Sequence, residues 1–221
     1  TIDRKNCVGC GRCVEVCLFD ALTLYGQEMT IDAVTAEVLR DRIFYAESGG
    51  GVTVSGGEPL LHPEFCAELF DRLHAESIPC AVDTCGEVPW QAFETVLPHT
   101  GLFLYDLKAM DSDLHRRLTG RGNERILANL RTLDETGVEI RMPVVPGLND
   151  SPEEFAAAGR FLSGLRHLTG VRLLAYHSFA RSKYESVGHE VTLPDVPSPS
   201  PEHRRKLADI LIGFCVNVLE K

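Results

Sequence analysis

The stretch Gly51-Val-Thr-Val-Ser-Gly-Gly-Glu-Pro59 decides how this chain is read. Its first half is a short β-branched run, the composition of a strand. Two glycines end the strand and let a ligand come close to bare backbone. Glu58 adds a carboxylate able to take an ammonium group. A helical pattern follows at 63–76, where Phe65, Leu69 and Leu73 recur at i, i+4 and i+8 with Phe70 beside them. Strand, turn and helix in this order make one unit of a parallel α/β fold.

The same alternation continues outward. Upstream, residues 31–46 read as a helix with Ile31, Val34 and Val38 on one face. Downstream, the strand Cys80-Ala-Val82 is closed by Asp83-Thr-Cys-Gly86, and Pro89 suits the first turn of a helix over 89–97. The strand Leu102-Phe-Leu-Tyr105 ends at Asp106. A helix marked by Ile126, Leu127, Leu130 and Leu133 is expected to stop at Gly137. The next strand, 139–145, contains Pro143, which places it at an edge or a bulge. Phe155, Ala158, Leu162 and Leu165 carry another helix, and 171–176 a fifth strand. After the proline-rich stretch 194–201, Leu207, Ile210, Leu211, Phe214 and Val218 form the stripe of a last helix. Five strand–helix repeats predict a partial parallel β/α barrel.

In such folds the chemistry gathers at the C-terminal ends of the strands. Those ends carry Ser55-Gly-Gly-Glu-Pro59, Asp83-Thr84, Asp106-Leu-Lys108, the run from Arg141 to Asn149, and Tyr176-His177. Any one of these is also what a polar loop looks like. Five in register argue for a shared site.

A second motif opens the chain. Cys7, Cys10, Cys13 and Cys17 have the spacing C-x2-C-x2-C-x3-C of a bacterial ferredoxin [4Fe–4S] run. Gly9 and Gly11 let the backbone bend around a cluster. Zinc sites pair one C-x2-4-C with a distant second pair, and none is visible. Leu18 stands where the ferredoxin run usually has proline. The fourth cysteine of such a run serves the other cluster of a two-cluster module. With no second run downstream and Thr1 only six residues before Cys7, the expectation is an iron–sulfur redox protein whose partner run lies upstream. Residues 1–26 are assigned to this segment and 27–221 to the barrel.

With 221 residues, 44% hydrophobic, the chain can bury a large core. A net charge of −10 argues against nucleic-acid binding. No run of ~18 apolar residues predicts a membrane span. Eight cysteines could suggest disulfides, but four sit in the cluster run, and Cys66, Cys80, Cys85 and Cys215 are scattered in apolar surroundings as small hydrophobes often are. The expectation is the reducing cytoplasm of an anaerobe.

Strand–GGEP–helix beside iron–sulfur ligands resembles the radical S-adenosylmethionine (SAM) superfamily. Asp106, Lys108 and His115, spaced D-x-K-x6-H and followed by Leu118-Thr-Gly120 and Asn123, closely resemble the activating enzymes of glycyl radical enzymes. Agreement extends through Ser48 to Leu61, Asp83-Thr-Cys-Gly86, Ile140-Arg-Met-Pro-Val-Val-Pro-Gly147, and Tyr176-His177 before Lys183-Tyr184. The likeness is to the subgroup with a ferredoxin-like insert, of which the chain keeps the second half, on a barrel lacking its first strand. One departure matters: the C-x3-C-x2-C triad that holds the family's SAM cluster occurs nowhere in these residues.

The resemblance implies that a reduced cluster donates an electron to the SAM sulfonium, and that the resulting 5′-deoxyadenosyl radical takes hydrogen from a glycine of a partner enzyme. It implies that Ser55, Gly56, Gly57, Glu58 and Pro59 hold the methionine ammonium, and that Asp83 lies near a monovalent cation or SAM group. Arg141 would face the SAM carboxylate and His177 the adenine. Asp106, Lys108 and His115 would meet the partner's glycine loop, while Cys7, Cys10, Cys13 and Cys17 bind an auxiliary cluster. The reductant would be a flavodoxin or ferredoxin and the protein a monomer. Asp106 and Lys108 have a plainer reading as a salt-bridged rim, and the remaining histidines are read as surface or core groups. Without the triad, the chain as given is expected not to cleave SAM. An iron–sulfur electron carrier, or a pseudoenzyme that docks a glycyl radical enzyme without activating it, are the competing functions.

Overall fold

The computed structural model describes residues 2–133, 136–192 and 194–219. Among the described residues there are five strands: β1 (Val52–Val54), β2 (Cys80–Thr84), β3 (Leu102–Asp106), β4 (Gly137–Val144) and β5 (Leu168–Ala175). The helices are α1 (Arg12–Glu15), α2 (Ile31–Leu39), α3 (Arg42–Ser48), α4 (Pro63–Ala75), α5 (Trp90–Val96), α6 (Ser112–Thr119), α7 (Glu124–Thr132), α8 (Pro152–Leu162), α9 (Arg181–Val187) and α10 (Pro201–Ile212). The strands form one parallel sheet in the order β1-β2-β3-β4-β5, with at least one helix between each strand and the next. This is the partial parallel β/α barrel read from the repeats.

The chain divides into two compact units, residues 1–30 with 177–195, and residues 31–176 with 196–221. The cysteine segment read as ending near Gly26 thus belongs to a unit that also takes in α9. None of the residues described in that unit is buried. Within it, the Arg4 guanidinium donates to the Ser186 carbonyl. In the larger unit, Val82, Phe103, Tyr105, Ile140 and Val144 point from the sheet into a core with Phe70, Leu73, Phe93, Phe155 and Leu162 of the helices, all essentially inaccessible to water. Side chains alternate along a strand. The opposite face of the sheet therefore carries Asp83 and Leu104 in one register row, Leu104 and Glu139 in the next pairing, and Asp106, Arg141 and Arg172 across β3 to β5.

Several sequence expectations are corrected here. The helix expected over 31–46 is two, α2 and α3, separated at Arg40 and Asp41, where 3₁₀-type bonds to Glu37 and Val38 tighten the last turn. Gly137 begins β4 and does not stop α7, which ends at Thr132 with Leu133 as its cap. Phe214 and Val218 are not on α10. That helix ends at Ile212, and residues 217–219 run parallel to β5, with the Val171 N–H donating to Asn217 at 2.8 Å and the Leu219 N–H to Val171 at 2.8 Å. Pro143 lies in β4, a strand flanked on both sides. Its tolerance has a local cause: Arg141 accepts the Leu107 N–H, so two residues on Pro143 also faces the β3 side, where β3 has already ended.

Candidate functional site

The turn after β1 is built for close approach. Ser55, Gly56 and Gly57 are exposed, Gly56 sits at φ 129°, and a Cβ at either glycine would meet nothing within 4 Å. Beneath this bare backbone, Glu58 turns inward. Its carboxylate accepts the Thr84 hydroxyl at 2.7 Å, the Cys85 N–H at 2.8 Å and the Leu60 N–H at 3.1 Å. Glu58 thereby ties the turn after β1 to the end of β2. Three of its four or so acceptor sites are filled, leaving little for an ammonium. Pro59 opens the 3₁₀ turn Pro59–Leu61 that leads into α4. Burial raises the thiol pKa values of Cys66 and Cys85, and the Glu58 carboxylate adds to both.

The end of β2 is stitched from both sides. Thr84, 2% exposed, also accepts the Gly86 N–H at 3.0 Å. Asn129 of α7 donates to the carbonyls of Gly86 and Val88, each at 2.9 Å. Gly86 must be glycine because its φ is 72° and a Cβ would collide with the Tyr105 hydroxyl.

Along the face of the sheet opposite the core runs a chain of charges. Ser55 donates to Asp83 at 3.1 Å, and Arg141 reaches from β4 across β3 to the same carboxylate oxygen, also at 3.1 Å. The Arg141 Nε is buried without a hydrogen bond and lies 3.8 Å from Glu139, whose carboxylate takes two bonds from Arg172 of β5, at 2.7 and 3.2 Å. Sequence reading missed Glu139 and Arg172. Strand alternation could have found them, since they share a face with Arg141.

Lys108 pairs with Asp106 at 2.9 Å, both half-exposed. This is the rim pair read from the D-x-K motif. His115 is placed differently from the expectation: it is 3% exposed, its Nδ1–H donates to the Arg121 carbonyl at 2.7 Å, and it secures the C-terminal turn of α6. Its imidazole is buried against its own chain. His177 belongs to the smaller unit, where its ring stacks on Phe179 at 4.3 Å.

Cys7, Cys10 and Cys13 are exposed and line one cavity of about 440 Å³ with Gly9, Gly11, Leu24 and Tyr25 among its walls. Cys17 is not among its lining residues. Its sulfur accepts the Ala21 N–H at 3.2 Å, and such backbone bonds, at Phe19 and Ala21, lower its thiol pKa. Among the described residues no three His, Cys, Asp or Glu side chains converge closely enough to hold a metal ion. The donor set and its three-plus-one division suit an iron–sulfur cluster, while closure of the loop is left to the metal. Among the described residues, no helix is long and apolar enough to cross a membrane.

Residues 4–158 match the family described as the radical SAM superfamily. The chain is 41% identical over 200 residues to the isethionate sulfite-lyase activating enzyme of Desulfovibrio desulfuricans, covering 88% of this chain and 64% of that one. It is 37% identical to the indoleacetate decarboxylase activating enzyme of Tractidigestivibacter scatoligenes, covering 95% and 67%. It therefore spans about two thirds of the length of these curated relatives. The crystal structure of a domain of pyruvate-formate lyase-activating enzyme from Bacteroides vulgatus superposes with a TM-score of 0.66 at 33% identity, covering 77% of this chain and 98% of that one.

Proposed function

The chain belongs to the radical SAM superfamily, among the activating enzymes of glycyl radical enzymes, and from that premise we propose that it forms part of an enzyme that installs a glycyl radical on a partner protein. Membership implies a [4Fe–4S] cluster and S-adenosylmethionine, which together supply a carbon radical able to take hydrogen from a glycine Cα. The observation that carries the reading is the bare, open backbone at Gly56–Gly57 beside the charge chain Ser55–Asp83–Arg141.

In this reading the backbone of residues 55–57 binds the methionine ammonium, and Glu58 holds that backbone in place, with Pro59 fixing its exit. Arg141 binds the carboxylate, for which Asp83 keeps the guanidinium poised. A monovalent cation at Asp83 would compete with Arg141 for the same oxygen. His177, stacked on Phe179, offers a flat surface for adenine. Asp106 and Lys108 meet the partner's glycine segment, with His115 fixing the helix that follows. Cys7, Cys10 and Cys13 hold an auxiliary cluster and Cys17 the neighbouring one, with flavodoxin or ferredoxin as reductant. No C-x3-C-x2-C triad occurs in residues 1–221, so this stretch by itself is expected to bind SAM without cleaving it.

Arg141→Ala tests the reading. Losing a charge-assisted bond to a carboxylate should weaken SAM binding about tenfold or more in anaerobic calorimetry. Unchanged affinity would remove Arg141, and the charge chain with it, from the cofactor site. Release of 5′-deoxyadenosine from residues 1–221 under reductant would overturn the claim that they bind only.

A further inference from the structure

The backbone just after β3 is gripped by three buried polar side chains from three separate places. Asn149, 4% exposed, donates to the Lys108 carbonyl at 2.8 Å and to the Pro143 carbonyl at 2.7 Å, and accepts the Val145 N–H at 2.8 Å. Asn123, at the start of α7, donates to the carbonyls of Ala109 and Met110 at 2.9 and 2.8 Å. Glu154 of α8, 8% exposed, accepts the Met110 N–H and, at 3.2 Å, the Asp111 N–H. Every peptide from 108 to 111 is thus fixed by a side chain remote in sequence.

The position of Asn149 has a reason in the sheet. The β3–β4 ladder ends with Asp106 opposite Arg141 and the Leu107 N–H on the Arg141 carbonyl. The next rung would need an N–H from Pro143, which has none. Past that point the single amide of Asn149 bonds the carbonyls of both Lys108 and Pro143. It uses both N–H donors and one acceptor, close to the capacity of the group. In effect one side chain replaces a rung and continues the coupling of β3 to β4 past the point where backbone pairing stops.

What this coupling fixes is the root of Lys108. The Lys108 side chain is long, and its pairing with Asp106 is half-exposed, so that pair alone holds the ammonium weakly. We propose that Asn149 is a positioning residue for Lys108: it sets the Lys108 backbone against β4, and so fixes the spacing between the Lys108 ammonium and the Arg141 guanidinium, while Asn123 and Glu154 hold the peptide that follows. Its functional consequence rests on the reading of Lys108 as a group that meets the partner. A carboxylate at 149 would face two carbonyl oxygens with no proton to offer, so Asn149→Asp breaks the rung with little change of shape.

The test measures Lys108 directly, by its rate of acylation under native conditions, followed peptide by peptide in the mass spectrometer on the reconstituted protein. Asn149→Asp should speed acylation of Lys108 by about threefold, the scale of releasing a half-exposed ion pair. Asn149→Ser, which keeps one donor, carries the measurement if the aspartate does not fold. Asn129→Asp is the matched control, since Asn129 is equally buried and also bonds two carbonyls, but on Gly86 and Val88. Its Lys108 rate should stay at the wild-type value. An unchanged Lys108 rate in the folded Asn149 variant, or an equal rise in Asn129→Asp, overturns the proposal. If the rate rises in the Asn149 variant alone while SAM affinity and the radical yield on a glycyl radical enzyme both stay at wild-type values, the positioning holds and the functional reading of Lys108 falls.

Discussion

In the smaller unit Cys7, Cys10 and Cys13 stand exposed around a cavity and no described residue is buried. At the strand ends of the larger unit, by contrast, Glu58, Thr84, Asn129 and Asn149 each hold two or more partners, and most are shut away from water. Both regions present chemistry on loops, yet they obtain order from different sources. The strand-end loops are ordered by the chain's own buried hydrogen bonds before any ligand arrives. The cysteine loop has ligand atoms without a core, so its order has to come from the metal, as in small metal-bound domains.

The sharpest way to break that contrast is to take the iron away. Chelation of the reconstituted protein, or Cys10→Ser, should abolish cluster absorbance and the amide-exchange protection of residues 2–30, while amides of β2, β3 and β4 keep theirs. Equal loss in both regions would mean that the strand-end loops also depend on metal.

A second, smaller effect separates backbone strain from ligand contact at the β1 turn. Gly56→Ala forces a side chain into φ 129° and should cost about 1–3 kcal/mol of stability whatever binds there. Gly57 has no such φ, and its added Cβ would meet nothing within 4 Å, so Gly57→Ala should leave the unfolding midpoint unchanged and lower SAM affinity only. A stable Gly57→Ala protein with wild-type affinity would show that no ligand approaches this backbone.

The smallest effect is on pH. Burial pushes the Cys80 thiol up to about 11 from an ordinary 9.0. The folded state therefore holds a proton that the unfolded chain gives up. The stability due to the neutral thiol is fully present below pH 9 and is lost as pH rises through about 11. The fall in unfolding midpoint over that window should be shallower in Cys80→Ala than in the wild type. Identical slopes would show that Cys80 is in practice wetter than its place in β2 implies.

The strands β1 to β4 were legible because each is a short, largely apolar run followed closely by Gly, Asp or Pro, and the alternation survives in what is buried. The Asp106–Lys108 pair was legible because its members lie two residues apart. The orientation of His115 was not legible, because a spacing places a residue on a helix without saying which way it faces, and α6 turns it toward Arg121. That Thr84 and Cys85 reach the Glu58 carboxylate could not be read from the sequence. Asn149 and Glu154 look like ordinary loop and helix polar residues. Their partners on the segment after β3 lie 41 to 44 positions away and appear only when β3 and β4 lie side by side.

The strand order β1-β2-β3-β4-β5 is also the order of synthesis. Each strand pairs first with the one made just before it, so the closing loops are short and the sheet can grow from one side as the chain leaves the ribosome. Asn149 comes late in that sequence, after both strands it bridges. Residues 217–219 follow β5 in the chain, and by pairing with Val171 they cover part of its free edge.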